Sequence, residues 1–249
     1  MNFLGRVVDW FTASEHWQGP DGVPNRLWEH VQISGTAVLI AIAIALPIGL
    51  ALGHTGKGGV LAVNVSNIGR AVPSFAVLVF TVQLTGIGTT PAVVALIALA
   101  VPPILTNTYV AMREVDPEVR EAAHGIGMTG MQQLRRIEAP LALPLIMAGV
   151  RTSAVQVVAT ATLAAIVASG GLGRFIVDGF ASRVPEQIFA GGVLVAGLAI
   201  AVEVVLGLVE GRVAPGRAAR SQRRMDANPS LASPALADVV AGVGVGRVR

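Results

Sequence analysis

The sequence predicts an all-α membrane protein of about five transmembrane helices, with its amino terminus outside, its carboxyl terminus inside and one patterned loop on the cytoplasmic side. Three observations carry that prediction. Hydrophobic residues fill 53% of the 249 positions and charged ones only 13%, about half the charge of a soluble globular domain. Uncharged apolar runs recur at the length of about 20 residues that a helix needs to cross the hydrocarbon core. Lys and Arg gather in alternate connections, as short cytoplasmic loops do.

Residues 1–30 are an extracytoplasmic segment that is expected to be retained, since the first long apolar run starts only near Val31, behind a mixed-charge stretch. Within it Phe3, Leu4, Val7, Val8 and Phe11 recur at helical spacing beside Arg6, Asp9 and Trp10. That predicts a short helix that either lies in the membrane interface or packs on a neighbouring loop. Residues 31–212 form the transmembrane domain. Its first span is 31–53. No charged residue or histidine occurs between Ala71 and Met112, yet Gly86, Gly88 and Pro91 mark a turn inside that run. It therefore holds a second span at 66–84 and a third at 91–112, the latter kinked by Pro102 and Pro103.

The fourth span, 141–169, contains Arg151, which must face protein, water or headgroups. The fifth, 187–209, contains Glu203 about two turns from its end, a position that favours snorkelling or a subunit contact over a transport carboxylate. With the carboxyl end inside, the inner segments hold thirteen basic residues: Lys57, Arg70, Arg113, Arg120, Arg135, Arg136 and seven arginines from Arg212 onward. The outer segments hold four, Arg6, Arg26, Arg174 and Arg183. That asymmetry sets an odd number of spans. Residues 213–249, rich in Ala, Arg, Ser, Gly and Val, are expected to be a disordered cytoplasmic tail.

The loop 113–140 is the informative part. Asp116 is placed to cap a helix that starts at Pro117, carries Glu118 and Glu121 early and stops at Gly125. Thr129 and Gln132 have the spacing of a capping box for a second short helix that ends before Pro140. Its Met131, Leu134 and Ile137 form an apolar face, and Ile126 and Met128 sit at the junction of the two helices. Together they suggest a protein-docking knob.

Several patterns imitate other chemistry. Gly125, Gly127 and Gly130 match a dinucleotide fingerprint but follow a capped helix rather than a strand. Gly56-Lys57 lacks the Ser or Thr and the upstream Gly of a phosphate loop. His16, His30, His54 and His124 stand apart, without metal-ligand spacing, and read as interfacial or loop residues. Cysteine is absent, which excludes thiolate chemistry. The net charge of +3 does not indicate nucleic acid, because the basic residues lie in loops and tail rather than on one face. No clustered acid, base or nucleophile marks an enzyme, and neither repeated halves nor a path of ionisable residues marks a secondary transporter.

The spacing Glu121-Ala122-Ala123, three residues, Gly127, nine residues, Ile137, one residue, Ala139-Pro140 resembles the "EAA" motif of the permeases of ABC importers, with Ala139 where that family has Leu. Val72-Pro73-Ser74, Pro102-Pro103-Ile104-Leu105, Asn107-Thr108-Tyr109, Glu114-Val115-Asp116-Pro117 and the stretches 125–129 and 159–173 resemble the subfamily that imports the osmoprotectants glycine betaine, choline and carnitine. Methionine-type permeases resemble these stretches less. The resemblance implies a multi-pass subunit of the bacterial cytoplasmic membrane whose loop supplies a coupling helix. Its implied partners are cytoplasmic ATP-binding cassette subunits that hold ATP and Mg, a second permease copy or paralogue, and an extracytoplasmic solute-binding protein. No catalytic residue, metal or cofactor is expected in this chain. Phe75, Phe80 and Tyr109 are candidate pathway residues, with core packing as the plainer role, and Gly170, Gly171 and Gly173 are either a flexible outer gate or a simple turn.

Overall fold

The computed structural model describes residues 2–213 apart from Ala168, with only the backbone described at 61, 62, 65, 66, 70 and 213. From residue 214 the expected tail lies outside the described residues. Among the described residues all regular structure is helical. Four helices are long and apolar enough to cross a membrane, at Val23–Thr55, Thr89–Arg113, Gly130–Val167 and Pro185–Arg212, and a shorter apolar helix spans Ser74–Thr85.

Helix α1 (Phe3–Thr12) is capped by the Asn2 side chain, which accepts from the Gly5 N–H at 2.9 Å. One face of the helix packs on the rest of the chain. Val7 and Trp10 are buried, and Trp10 meets Phe175 edge to face with ring centroids 5.4 Å apart. Leu4 and Val8 remain exposed on the other side. After a 3-10 turn at Ser14–Trp17 comes α2 (Val23–Thr55), which has Pro near its start and ends where Gly56 turns left-handed at φ 68°. It carries the first span expected at 31–53, starting eight residues earlier and ending two residues later.

The second span is divided. Helix α3 (Gly59–Ala71) stops at Val72, which takes an extended φ of −74° and ψ of 125° because Pro73 follows, and α4 (Ser74–Thr85) resumes beyond it. Twelve residues cover about 18 Å, short of the roughly 30 Å hydrocarbon core, so α4 does not cross alone. Helix α5 (Thr89–Arg113) runs unbroken through Pro102 and Pro103.

The core lies where α2, α5 and α8 (Ala139–Thr160) meet. On α2, Ala37, Ala41, Ala45, Gly49 and Gly53 recur every fourth residue and are buried. This stripe of small residues lets α5 approach closely: a Cβ on Gly49 would lie 2.7 Å from the Thr108 Cβ, and one on Gly53 2.3 Å from the Met112 Cβ. On α8, Gly149 makes room for Asn107, and Ser153 Oγ donates to the Ala100 carbonyl at 3.1 Å.

Helix α8 corrects one expectation. The second short helix of the loop, α7 (Gly130–Gln133), does not end before Pro140 but passes through a π-turn at Leu134–Glu138 directly into α8. Ala139 donates to the Leu134 carbonyl five residues back, and this wider turn places Pro140 in the opening turn of α8, where its missing N–H is not needed. A 3-10 turn at Ala161–Val167 completes the fourth span. Helices α9 (Gly173–Ser182) and α10 (Pro185–Val213) follow. Arg151 of α8 faces protein, with Nε 3.4 Å from Glu203 and Nη1 3.3 Å from Glu210, both on α10.

Candidate functional site

The caps of the loop between α5 and α8 are built as its residues predict. Asp116 accepts from the Glu118 N–H at 2.9 Å and starts α6 (Pro117–Gly125). The helix ends in a Schellman arrangement: Met128 N–H reaches the Ala123 carbonyl at 3.1 Å, Gly127 N–H reaches that of His124 at 2.9 Å, and Gly127 is left-handed at φ 81°. Thr129 then forms both arms of the capping box. Its N–H donates to Gln132 Oε1 at 2.9 Å, and its Oγ1 accepts from the Gln132 N–H at 3.4 Å.

The motif residues divide by exposure. Ala123 is buried under α6, whereas Glu121, Ala122, Gly127 and Pro140 are exposed and Ile137 is half-buried. Ile126 stands 80% exposed at the tip of the junction, with Met131, five residues on, at 57% and Met128 half-covered. Leu134, expected on the same apolar face as Met131, turns inward and packs on the cluster of Ala111, Met112, Val115, Ala142 and Ile146. The surface left outside is thus small, apolar at Ile126 and Met131, and acidic at Glu121.

Glu138, between Ile137 and Ala139, is a residue that the motif reading passed over. Its side chain is 1% exposed. His54 Nδ1 lies 2.5 Å from one carboxylate oxygen. Gln133 Nε2 donates to the other at 3.2 Å, and Arg120 Nε is 3.3 Å from that same oxygen. His54 is therefore no loop residue. The signal in the sequence was a carboxylate set in an apolar stretch with two arginines just before it, but its partner is 84 residues away.

The outer candidates fare differently. Gly170, Gly171 and Gly173 are each closely approached by other parts of the chain. A Cβ on Gly170 would lie 2.2 Å from the Glu29 carboxylate, and one on Gly173 2.3 Å from the Thr162 carbonyl. Gly171 is left-handed at φ 93° and donates to Glu29 at 2.8 Å. His30, expected in a loop or interface, is buried in α2, where Nε2 lies 2.9 Å from the Val158 carbonyl and Nδ1 accepts from the Leu172 N–H at 3.3 Å. Phe75 and Phe80 are exposed on α4, while Tyr109 on α5 sets its hydroxyl against Gly59 at the start of α3. The structure does not bring these three aromatics together.

Comparison with known proteins gives three results. The family model described as "Binding-protein-dependent transport system inner membrane component" matches residues 37–215. The glycine betaine/carnitine/choline transport system permease protein OpuCB of Bacillus subtilis is 44% identical over 75% of this chain and 86% of its own length. The choline transport system permease protein OpuBB of the same organism is 42% identical over 76% and 88%, and the carnitine transport permease protein OpuCB of Listeria monocytogenes 42% over 76% and 86%. Among solved structures, an inward-facing MetNI methionine ABC transporter chain superposes with a TM-score of 0.67 at 24% identity, covering 75% of this chain and 93% of that one. An amino acid ABC transporter crystallised with histidines gives 0.61 at 19% identity, covering 85% and 99%. These two likenesses establish the fold.

Proposed function

The chain belongs to the family of inner membrane components of binding-protein-dependent transport systems, and from that membership we propose that it is the permease subunit of an ATP-driven importer of glycine betaine, carnitine, choline or closely related osmoprotectants. The observation that carries the solute class is identity of 42–44%, over three quarters of the chain, to relatives named for these compounds. The methionine transporter shares the fold at lower identity.

In this reading two permease subunits, identical or paralogous, form the path. The loop 113–140 faces the cytoplasm and docks through Ile126, Met131 and Glu121 on a separate ATPase subunit, where ATP and Mg are held. Closure of the paired ATPases displaces the docked loops. Since α7 continues through the π-turn into α8 without a break, the loop is joined directly to the fourth span. The spans then alternate between inward- and outward-open arrangements. A quaternary ammonium group is held by aromatic faces, and with only 4% aromatic residues this chain leaves tight recognition to an extracytoplasmic binding protein.

The test is uptake. Cells that depend on this system should accumulate radiolabelled betaine, choline or carnitine at high osmolarity, with no competition from excess methionine. Methionine uptake without response to any quaternary ammonium compound would overturn the solute class.

A further inference from the structure

The exposed motif residues mark where a partner docks, but not how a push on the loop reaches spans other than the fourth. Three elements converge on Glu138. It lies in the π-turn, and it is held by Arg120 of α6, Gln133 of α7 and His54 in the last turn of α2. Arg120 also donates through Nη2 to the Met112 carbonyl at the end of α5. The Arg120 and His54 side chains are themselves only 18% and 25% exposed.

A carboxylate is costly to bury and persists where its partners are fixed and directional. Apolar packing slides, but hydrogen bonds from His54 and Gln133, one to each carboxylate oxygen, with the Arg120 guanidinium paired beside them, hold one geometry. Resting on the coupling-loop reading above, we infer that Glu138 is a positioning residue for transport. It ties the docking helix α6 to the inner ends of α2 and α5, so that the docked loop moves as one body with these spans and the stroke is not spent in bending the loop. His54 is the α2 end of the tie. Its ring also covers Gly130, where an added Cβ would lie 3.3 Å from Nε2, so the first residue of α7 sits directly against it.

The experiment uses the full permease with its ATPase subunits and binding protein in proteoliposomes, and measures glycine betaine moved per ATP hydrolysed. Glu138→Met fills nearly the same volume without any strong acceptor, whereas Glu138→Gln keeps the shape and one acceptor oxygen but not the charge. The ratio should fall at least threefold in Glu138→Met and less in Glu138→Gln. A residue that only filled space would not separate the two. A wild-type ratio in Glu138→Met, or equal ratios in the two variants, overturns the inference. Should Glu138→Met not assemble, His54→Phe decides: a comparable fall supports the tie and an unchanged ratio overturns it. Failure of the docking reading itself shows elsewhere, as a Gly127→Asp protein that assembles with the ATPase and transports normally.

Discussion

Gly127→Asp separates docking from folding because the structure bounds what the substitution does inside the chain. Gly127 is left-handed at φ 81°, and a Cβ there meets nothing within 4 Å. The internal cost is therefore backbone strain alone, on the order of 1 kcal/mol for a residue such as Asp that tolerates this region. That is small against the roughly 5–15 kcal/mol of an ordinary domain, and the capping hydrogen bonds to Ala123 and His124 can persist. Docking is another matter. An unpaired carboxylate enclosed in a partner groove costs several kcal/mol after relaxation. At about 3 kcal/mol, affinity for the ATPase drops over 100-fold. Gly127→Asn imposes similar backbone strain without charge. Insertion is read by membrane fractionation, assembly by co-purification with the ATPase, and coupling by stimulated hydrolysis. The Asp protein should insert normally, fail to co-purify and lose uptake, while the Asn protein keeps most of each. Arg223→Asp, in the tail outside the described residues, is the control for added acidity. A Gly127→Asp protein that is assembled and fully active refutes the reasoning. An Asn protein as defective as the Asp one shows that strain, not docking, is the cause.

Orientation is open to labelling, since the chain has no cysteine of its own. A cysteine at the exposed Thr89 should react with an impermeant thiol reagent in intact cells, and one at the exposed His124 only after permeabilisation; the reverse pattern would place the docking loop on the wrong side. Helix packing is open to overfilling. Gly53→Ala sets a Cβ 2.3 Å from that of Met112, whereas Gly197→Ala meets nothing within 4 Å. The first should lower stability in detergent by about 1–3 kcal/mol, with a fall in Tm, and the second should change little; equal melting curves would mean that α2 and α5 do not approach as closely as described.

What was legible in the sequence was local. Asp116 with Pro117 and Thr129 with Gln132 each act on a backbone group within a few residues, so their spacing alone announces caps, and the structure has both. The resemblance to importer permeases rested on the same stretch, and the family match covers it. What was not legible depends on partners far along the chain. His30 read as an interfacial or loop residue, but it is buried against Val158 and Leu172, 128 and 142 residues away. Gly170 and Gly173 read as hinge or turn because glycine serves both, and only the Glu29 carboxylate and Thr162 carbonyl reveal close approach. Pro73 was hidden in a charge-free run, where hydropathy sees one span and backbone sterics make two helices. Pro140 misled in the opposite direction, since a π-turn lets a helix continue where a proline ordinarily stops it. The spacing of Ala37, Ala41, Ala45, Gly49 and Gly53 was visible throughout, and it signals a close helix contact without naming the helix that makes it.

The lengths of α2 and of the helix that contains α8 explain why a tie at Glu138 matters. Helix α2 has 33 residues, and the continuous run Gly130–Val167 has 38, against about 20 needed to span the hydrocarbon core. Each therefore extends beyond the core, and the excess of the second run includes its first residues, which carry the docking loop. Two helices that leave the bilayer side by side lose the lateral support of the packed spans. Long helices bend readily at π-turns, and here the π-turn lies between the docked surface and the span. A push on Ile126 would accordingly flex Leu134–Glu138 before it moved α8. His54 stands in the last turn of α2 and Glu138 at the last position of the π-turn, so their contact braces the flexible point against the neighbouring helix. Arg120 brings α6 to the same carboxylate. On the proposed docking, this arrangement braces the π-turn between the surface that would receive the force and the two spans that would carry it.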